Sequence, residues 1–238
     1  MEIYIILCII AFFAGFIQGL SGFGSVLLAL PLLAFFLDVK TAIPLVVLYS
    51  VALSVFLLLQ LRQFWDWKKI YPICIGSLPG APVGVWLLNH LDKQIIQWIV
   101  GLLLILYAVY SLLTRPAVRG LRNRWAYFSG FIAGCLGGMI SASGPPVIVY
   151  ISLQPWSKDQ LKVTLQGFFI ISGLVVIISQ AIGGLMTENV LFFFLTSLPG
   201  LFFGTWTGSL FYGRIREDSY KNIILTFLSL LGLFMIIK

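Results

Sequence analysis

Residues 77–86 are SLPGAPVGVW, and residues 197–206 are SLPGLFFGTW. The two decapeptides share Ser, Leu, Pro, both Gly and Trp at a constant separation of 120 positions. At a separation of 115 positions, Gly15, Phe16, Ile17, Gly19, Gly22 and Pro31 match Gly130, Phe131, Ile132, Gly134, Gly137 and Pro146. The chain is therefore predicted to contain one structural unit twice, with residues 1–118 as the first repeat and residues 119–238 as the second.

Composition places both repeats in a membrane. The chain is 60% hydrophobic and only 10% charged, which is more apolar surface than a soluble domain of 238 residues could bury. The net charge of +7 is spread between apolar runs, so we interpret it as a topology signal and not as a nucleic-acid-binding patch. The cysteines, Cys8, Cys74 and Cys135, lie within apolar runs and indicate neither a disulfide nor a metal site, and no cofactor is expected. The start at Met1–Glu2 lacks a basic region, so the first segment is expected to be retained and not cleaved.

Eight apolar runs are predicted to be helical, and most have the ~20 residues that a membrane-spanning helix needs. They cover 3–37, 42–61, 70–89, 94–113, 125–153, 163–182, 189–211 and 220–237. The first run is too long for one helix and is interrupted at Ser21–Ser25, whereas the fifth is interrupted between Gly137 and Pro146. After that break, residues 146–153 reach about half of a bilayer. Both segments are therefore predicted to be re-entrant hairpins with tips buried in protein.

The charges of the loops bear on this prediction. With two hairpins, the basic loops 62–69 and 115–124 lie on one side, which is cytoplasmic by the positive-inside rule, together with Lys158, Lys162, Arg214, Arg216 and Lys221. The opposite side receives Asp38, Lys40, Asp92, Lys93 and Glu188. If each segment crossed once, the basic loops of the second half would face outward. The expected fold is thus an all-α polytopic membrane protein whose two inverted repeats each contain a hairpin and three spans, with both termini outside.

The hairpin tips are the candidate substrate site, because broken helices of inverted repeats meet near the midplane. Half-helices that begin near Ser25 and Pro145 would offer free N–H groups and a positive dipole end to an anion, with Ser141 and Ser143 as expected caps. Close helix packing through small residues is the alternative. Two such clusters at equivalent positions favour a site, and its candidate residues are Gln18, Ser21, Gly22, Phe23, Gly24, Ser25, Ser50, Gly137, Gly138, Ser141, Ser143, Gly144, Pro145 and Gln166.

The ionisable residues limit the chemistry. Every Asp and Glu lies in a loop or at the end of a span, and the single histidine, His90, lies near a loop. No Lys or Arg is expected in mid-span. The sequence therefore indicates neither a carboxylate proton relay nor the acid–base groups of an enzyme. Export of one negative charge gains about 2.3 kcal/mol per 100 mV in a cell that is negative inside, so export could proceed without a coupling ion.

Two further groups of residues leave alternatives open. Gln18 and Gln166 are expected within the membrane, either at the anion or in helix–helix hydrogen bonds, whereas Gln60 and Gln180 are expected to be interfacial anchors. The SLPG repeats predict a kink or an unwound turn in each copy, either as simple bending or as a hinge at Pro79, Gly80, Pro199 and Gly200.

The order and duplication of these motifs resemble the sulfite exporter TauE/SafE family of membrane transporters. The similarity covers essentially the whole chain: Gly15-x-x-x-Gly19-x-x-Gly22-Phe23-Gly24 with Pro31, a second copy from Gly130 to Gly138 with Pro145-Pro146, and the twin SLPG segments. The resemblance implies a four-plus-four duplicated transporter that exports sulfite, a sulfonate or a similar small anion across a bacterial inner membrane. A membrane scaffold or assembly partner that carries nothing, and a passive anion channel, are the alternatives. The sequence assigns no oligomeric state.

Overall fold

The computed structural model describes residues 2–113, 120–212 and 217–237. Within these ranges it is all-α, as predicted. The helices are α1 (Glu2–Ser21), α2 (Ser25–Phe36), α3 (Val39–Leu61), α4 (Trp67–His90), α5 (Lys93–Leu113), α6 (Asn123–Ile140), α7 (Gly144–Ser152), α8 (Lys158–Ile182), α9 (Glu188–Leu210) and α10 (Glu217–Ile237). The predicted cytoplasmic charges at Arg115, Arg119, Arg214 and Arg216 and the side chain of Lys221 lie outside the described residues.

Each of the two long apolar runs is broken into two helices, as expected. The second member of each pair is short: α2 has 12 residues and α7 has nine. At about 1.5 Å per residue neither can cross the ~30 Å hydrocarbon core. In the described part of the chain, six helices are long and apolar enough to do so, namely α1, α3, α4, α5, α8 and α9. Because α1 belongs to this group, the first predicted hairpin has one full-length arm and one short arm.

The two breaks have the same local geometry. At the end of α1 the Gly22 N–H donates to the Gln18 carbonyl, and at the end of α6 the Ser141 N–H donates to the Gly137 carbonyl. Ser141 is therefore the structural counterpart of Gly22 at the end of the helix. The match between the two repeats in the sequence instead paired Gly22 with Gly137, which lies one helical turn earlier. The error arises because residues four apart share a helix face, so the glycine pattern cannot say which turn ends the helix.

The SLPG segments form close helix contacts. A Cβ on Gly200, Gly204 or Gly208 of α9 would meet the backbone of Cys8, Phe12 or Phe16 of α1, so these two helices run parallel. In the same way α4 packs against α6, where Gly76, Gly80 and Gly84 face Tyr127, Phe131 and Cys135. The expectation was a kink or an unwound turn; α4 and α9 are continuous through Pro79 and Pro199, which excludes the unwound turn, while the kink stays a prediction. The hinge assignment stays a prediction.

Equivalent helices of the two halves lie beside each other, and α3 and α8 run in opposite directions. In α8, Gly173 lies against Val47 and Val51 of α3, whereas Gly167 lies against Trp65, which follows α3. In α10, Gly232 lies against Gly101 and Leu104 of α5. If the two halves are related by a two-fold axis perpendicular to the helices, α3 and its counterpart α8 must be antiparallel. The same axis makes the contact between α1 and α9 equivalent to the contact between α6 and α4, and both contacts are present. This arrangement favours the inverted interpretation.

The connections cluster at two ends of the bundle. At one end Lys93 pairs with Asp38, and Asn89 donates to the Gly183 carbonyl at 3.3 Å. Burial alone would raise the pKa of Asp38, but hydrogen bonds from Lys93 and from the Lys40 backbone hold it below its ordinary value. At the other end the Lys69 ammonium lies 5.2 Å from the Trp156 ring, and the Gly120 N–H donates to the Leu153 carbonyl. Single crossings would separate Lys69 from Trp156, so this grouping favours hairpins.

Candidate functional site

The N-termini of α2 and α7 meet at one cavity of about 20 Å³, which is room for about one water-sized particle. Side chains and backbone of both halves form its wall. The predicted site residues that line it are Gln18, Phe23, Gly24, Ser25, Ser50, Ser141, Ser143, Gly144 and Pro145, joined by Val26, Leu27, Ala142, Ile148 and Phe169. The predicted residues outside its wall are Ser21, Gly22, Gly137, Gly138 and Gln166.

Both helix N-termini at the cavity lack a side-chain cap. The longer helices α3, α4, α8 and α9 are capped by side chains of Asp38, Asp66, Ser157 and Thr187. In α2 the cap position is Gly24, and the N–H groups of Ser25, Val26 and Leu27 have no acceptor among the described residues. A buried helix N-terminus without partners is a site that favours an anion, because its N–H groups and dipole both attract negative charge.

The serines of the second tip do not cap α7, contrary to expectation. Ser141 lies in the left-handed region at φ 57° and donates its hydroxyl to the Ile43 carbonyl at 2.8 Å, which ties the tip to α3. Ser143 occupies the cap position but makes no capping hydrogen bond. The reason is local: a cap accepts from the second or third helical N–H, and those positions are Pro145 and Pro146. The backbone of α7 thus offers mainly the N–H of Gly144, whereas α2 offers three.

A chain of amide hydrogen bonds holds the first tip. The Ser25 hydroxyl donates to Gln18 Oε1, and Gln18 Nε2 lies 3.2 Å from Ser54 Oγ and 3.4 Å from Gln166 Oε1. Gln166 Nε2 in turn donates to the Gly22 carbonyl at 2.7 Å. Gln166 therefore makes hydrogen bonds between helices, which was one of the two alternatives for these glutamines. Gln18 makes hydrogen bonds between helices and also lines the cavity.

The remaining predicted residues lie outside the cavity wall and support the backbone of the two tips. Ser21 Oγ lies 2.7 Å from the carbonyls of Ile17 and Phe23, and Gly22 and Gly24 adopt φ of 87° and 98°, which glycine accepts readily. Gly137 and Gly138 lie inside α6, where a Cβ on Gly138 would meet the Ala81 carbonyl of α4. Gly138 thus lets α6 pack closely against α4, whereas a Cβ on Gly137 would lie 3.2 Å from the Cβ of Ser143 in the second tip.

Lys162 is a residue of this region that the sequence did not reveal. It was expected in a cytoplasmic loop, but it lies one turn inside α8 with only 5% of its surface exposed. Its ammonium donates to the Gly19 carbonyl at 2.9 Å and lies 3.5 Å from the centre of the Tyr212 ring. No other Lys, Arg, Asp or Glu is buried among the described side chains. The available signal was its spacing of four residues from Gln166, which puts both on one helix face.

The two glutamines that were expected at the interface differ from each other. Gln60 is exposed near the end of α3, in agreement with that expectation. Gln180 is completely buried in α8, so the expectation is wrong for it. The difference is tertiary: the face of α8 that carries Gln180 packs inside the bundle.

A larger groove of about 480 Å³ lies on the outer face of α1. The described residues that form its wall all belong to α1: Tyr4, Ile5, Cys8, Ile9, Phe12 and Phe13. None of these side chains offers a charged group to an anion, so lipid is the occupant that suits the groove.

The sequence is similar to those of known proteins. The family model described as "Sulfite exporter TauE/SafE" matches residues 7–235. A "Probable sulfite/organosulfonate exporter TauE" of Cupriavidus necator is 32% identical over 142 residues, covering 58% of this chain and 55%, about half, of that protein. A "Probable inner membrane transporter protein TsaS" of Comamonas testosteroni is 25% identical over 178 residues, or 74% of each chain. No solved structure matches. Since the family model covers nearly the whole chain, this protein belongs to the sulfite exporter TauE/SafE family, as its motifs predicted.

Proposed function

We propose that this protein exports a small oxyanion, such as sulfite or an organosulfonate, across the bacterial inner membrane as a secondary transporter. The anion binds in the cavity between the N-termini of α2 and α7. The observation that carries the proposal is the pair of buried helix N-termini without side-chain caps at one cavity. The names of the two relatives supply the substrate class and the membrane.

The groups at the cavity suit an oxyanion better than a cation. Backbone N–H groups of Ser25, Val26, Leu27 and Gly144 are donors, and hydroxyls of Ser50 and Ser143 can add to them. Among the described side chains no carboxylate lines the cavity, and the nearby buried charge is the ammonium of Lys162. Hydrogen bonds to an ionised acceptor are roughly twice as strong as those between neutral groups, so a fixed set of N–H donors favours a charged oxyanion.

The energetics permit export without a coupling ion. No Asp or Glu is buried among the described side chains, so the carboxylates that usually carry protons across membranes are not found beside this cavity. An inside-negative potential supplies about 2.3 kcal/mol per charge and per 100 mV in the direction of export.

The size of the cavity favours a carrier over an open channel. About 20 Å³ accommodates one water-sized particle, which is less than an oxyanion with three oxygens requires. The tips of the hairpins therefore have to separate before substrate enters. A carrier that alternates between closed and open forms has this property, and a continuous pore does not.

Purified protein in liposomes loaded with ³⁵S-sulfite tests the proposal. We expect efflux that accelerates when a potassium gradient with valinomycin makes the interior negative, because the negative charge then leaves downhill. Absence of potential-dependent flux for sulfite and for a panel of small sulfonates would mean that the protein is not this transporter. Unitary current steps in a planar bilayer would indicate a channel instead.

A further inference from the structure

One buried face of α8 extends the polar environment of the cavity in both directions. Its members recur every three or four residues and share a side of the helix: Lys162, Gln166, Phe169, Ser172, Val176 and Gln180. Lys162 and Gln166 contact the first hairpin tip, and Phe169 lines the cavity. Ser172 and Gln180 lie further along, beyond the cavity.

Ser172 and Gln180 share an unusual property. They are 1% and 0% exposed, and Ser172 Oγ, Gln180 Nε2 and Gln180 Oε1 are the buried side-chain polar atoms that have no hydrogen-bond partner among the described residues. Nearly all buried polar groups in native proteins are paired, with protein, water or a ligand. All the exceptions in the described part of the chain thus fall on one face of one helix.

This face points into the bundle and not into lipid. Val176, one turn from each of the two polar residues, clusters with Val47 of α3 and Ala81 of α4, and lies 3.5 Å from the Cβ position of Gly137 in α6. Leu174 and Ile178 lie at the same depth on the other side of α8 and are 48% and 58% exposed. The row therefore leads from the cavity, through the interior, toward the end of α8 where Asn89 contacts Gly183.

We propose that Ser172 and Gln180 line the outer half of the translocation path and that the Gln180 amide is a second binding position for the anion. The proposal rests on the proposed function. The amide N–H₂ can donate to a small oxyanion, while Gln180 Oε1 and the Ser172 hydroxyl can bind the water that travels with it. The two halves of the path then differ in charge. Lys162 attracts the anion on the inner side, and a neutral amide releases it on the outer side, which suits export.

Thiol labelling tests the path independently of transport. The native Cys8, Cys74 and Cys135 are replaced by alanine, and single cysteines are introduced by Ser172→Cys and Gln180→Cys, with Leu174→Cys and Ile178→Cys as matched controls. The probe is the anionic, water-soluble 2-sulfonatoethyl methanethiosulfonate, applied to intact and to inside-out vesicles. We expect modification at positions 172 and 180 and none at 174 and 178, which face lipid. Equal inertness of all four positions would overturn the proposal.

The substitution Gln180→Leu tests the second binding position. We expect sulfite efflux to fall about tenfold, the equivalent of one lost hydrogen bond to a charged ligand. The melting temperature should stay unchanged or rise, because the substitution removes an unpaired buried amide. Gln60→Leu, the exposed counterpart in the first repeat, should leave efflux unchanged. Normal efflux in Gln180→Leu would overturn the second position. If the parent protein moves no sulfite, the proposed function fails, and the labelling result alone decides whether the path exists.

Discussion

Two side chains set the electrostatic environment of the cavity, Lys162 from α8 and Gln18 from α1. The ammonium of Lys162 lies beside the Gly19 carbonyl at the C-terminal turn of α1, where the negative end of the helix dipole favours a cation. Gln18 presents a neutral amide to the cavity itself. Under the proposed function, an anion therefore meets a positive charge near the tip and only neutral donors in the cavity.

Removal of the charge at Lys162 should weaken recruitment of the anion. For Lys162→Met we expect the KM for sulfite uptake into inside-out vesicles to rise about tenfold, the equivalent of ~1.4 kcal/mol, with a smaller change in maximal rate. Lys162→Arg should restore most of the affinity because it keeps the charge, and Lys158→Met, at the exposed start of α8, should have little effect. A purely structural role would instead reduce the amount of folded protein and leave KM unchanged.

Introduction of a negative charge at Gln18 should oppose binding. Gln18→Glu keeps the size of the side chain and can still accept the Ser25 hydroxyl, but it places a carboxylate at the cavity. We expect sulfite flux to fall more than about tenfold, since like charges at close range in a membrane interior repel strongly. Gln60→Glu, at the exposed end of α3, is the control. Unchanged flux in Gln18→Glu would place the anion elsewhere.

At the scale of single helices, the short α2 and α7 make different contacts from the long helices around them. α4 and α9 use glycines to contact α6 and α1 through their backbones, which lets each pair of helices pack closely. α2 and α7 instead begin inside the protein, and their N-termini lie at the cavity without side-chain caps. The duplicated SLPG segments thus form helix contacts, and under the proposed function the binding groups come from the broken helices.

Glycine substitutions should separate these two purposes. Gly204→Val should lower the melting temperature in detergent by an amount that corresponds to about 1–3 kcal/mol, because the new side chain would collide with the Phe12 carbonyl. Gly144→Ala should fold normally, since its Cβ would lie 3.5 Å from the Phe169 ring, an ordinary contact. It should nevertheless reduce sulfite flux, because it narrows the cavity. Normal flux in Gly144→Ala would argue against this cavity as the substrate site.

The direction of the helices across the membrane can be measured by side-specific labelling. Single cysteines at position 40 and position 158, introduced by Lys40→Cys and Lys158→Cys, lie at opposite ends of the bundle. We expect an impermeant maleimide to reach position 40 only from outside intact cells and position 158 only in inside-out vesicles. Labelling of both from the same side would contradict the inverted repeats.

At the scale of the whole molecule, the sequence predicts the breaks and the duplicated segments because glycine and proline act locally and helix length follows from hydrophobic length. It does not predict the turn at which α6 ends, since Gly134, Gly138 and their neighbours repeat on one face. Nor does it predict that Lys162 and Gln180 are buried, because the helices packed around α8 decide that. The cavity depends on both kinds of information: its backbone donors follow from local breaks, and its neighbours follow from tertiary packing.

The most direct measurement of the central claim is the position of a bound anion. Selenite has the charge and shape of sulfite, and its selenium gives an anomalous X-ray signal. In crystals grown with selenite we expect one strong selenium peak between the N-termini of α2 and α7, within hydrogen-bonding distance of the N–H groups of Val26, Leu27 and Gly144. A selenium peak elsewhere in the bundle, or no peak in crystals of protein that transports selenite, would contradict the account.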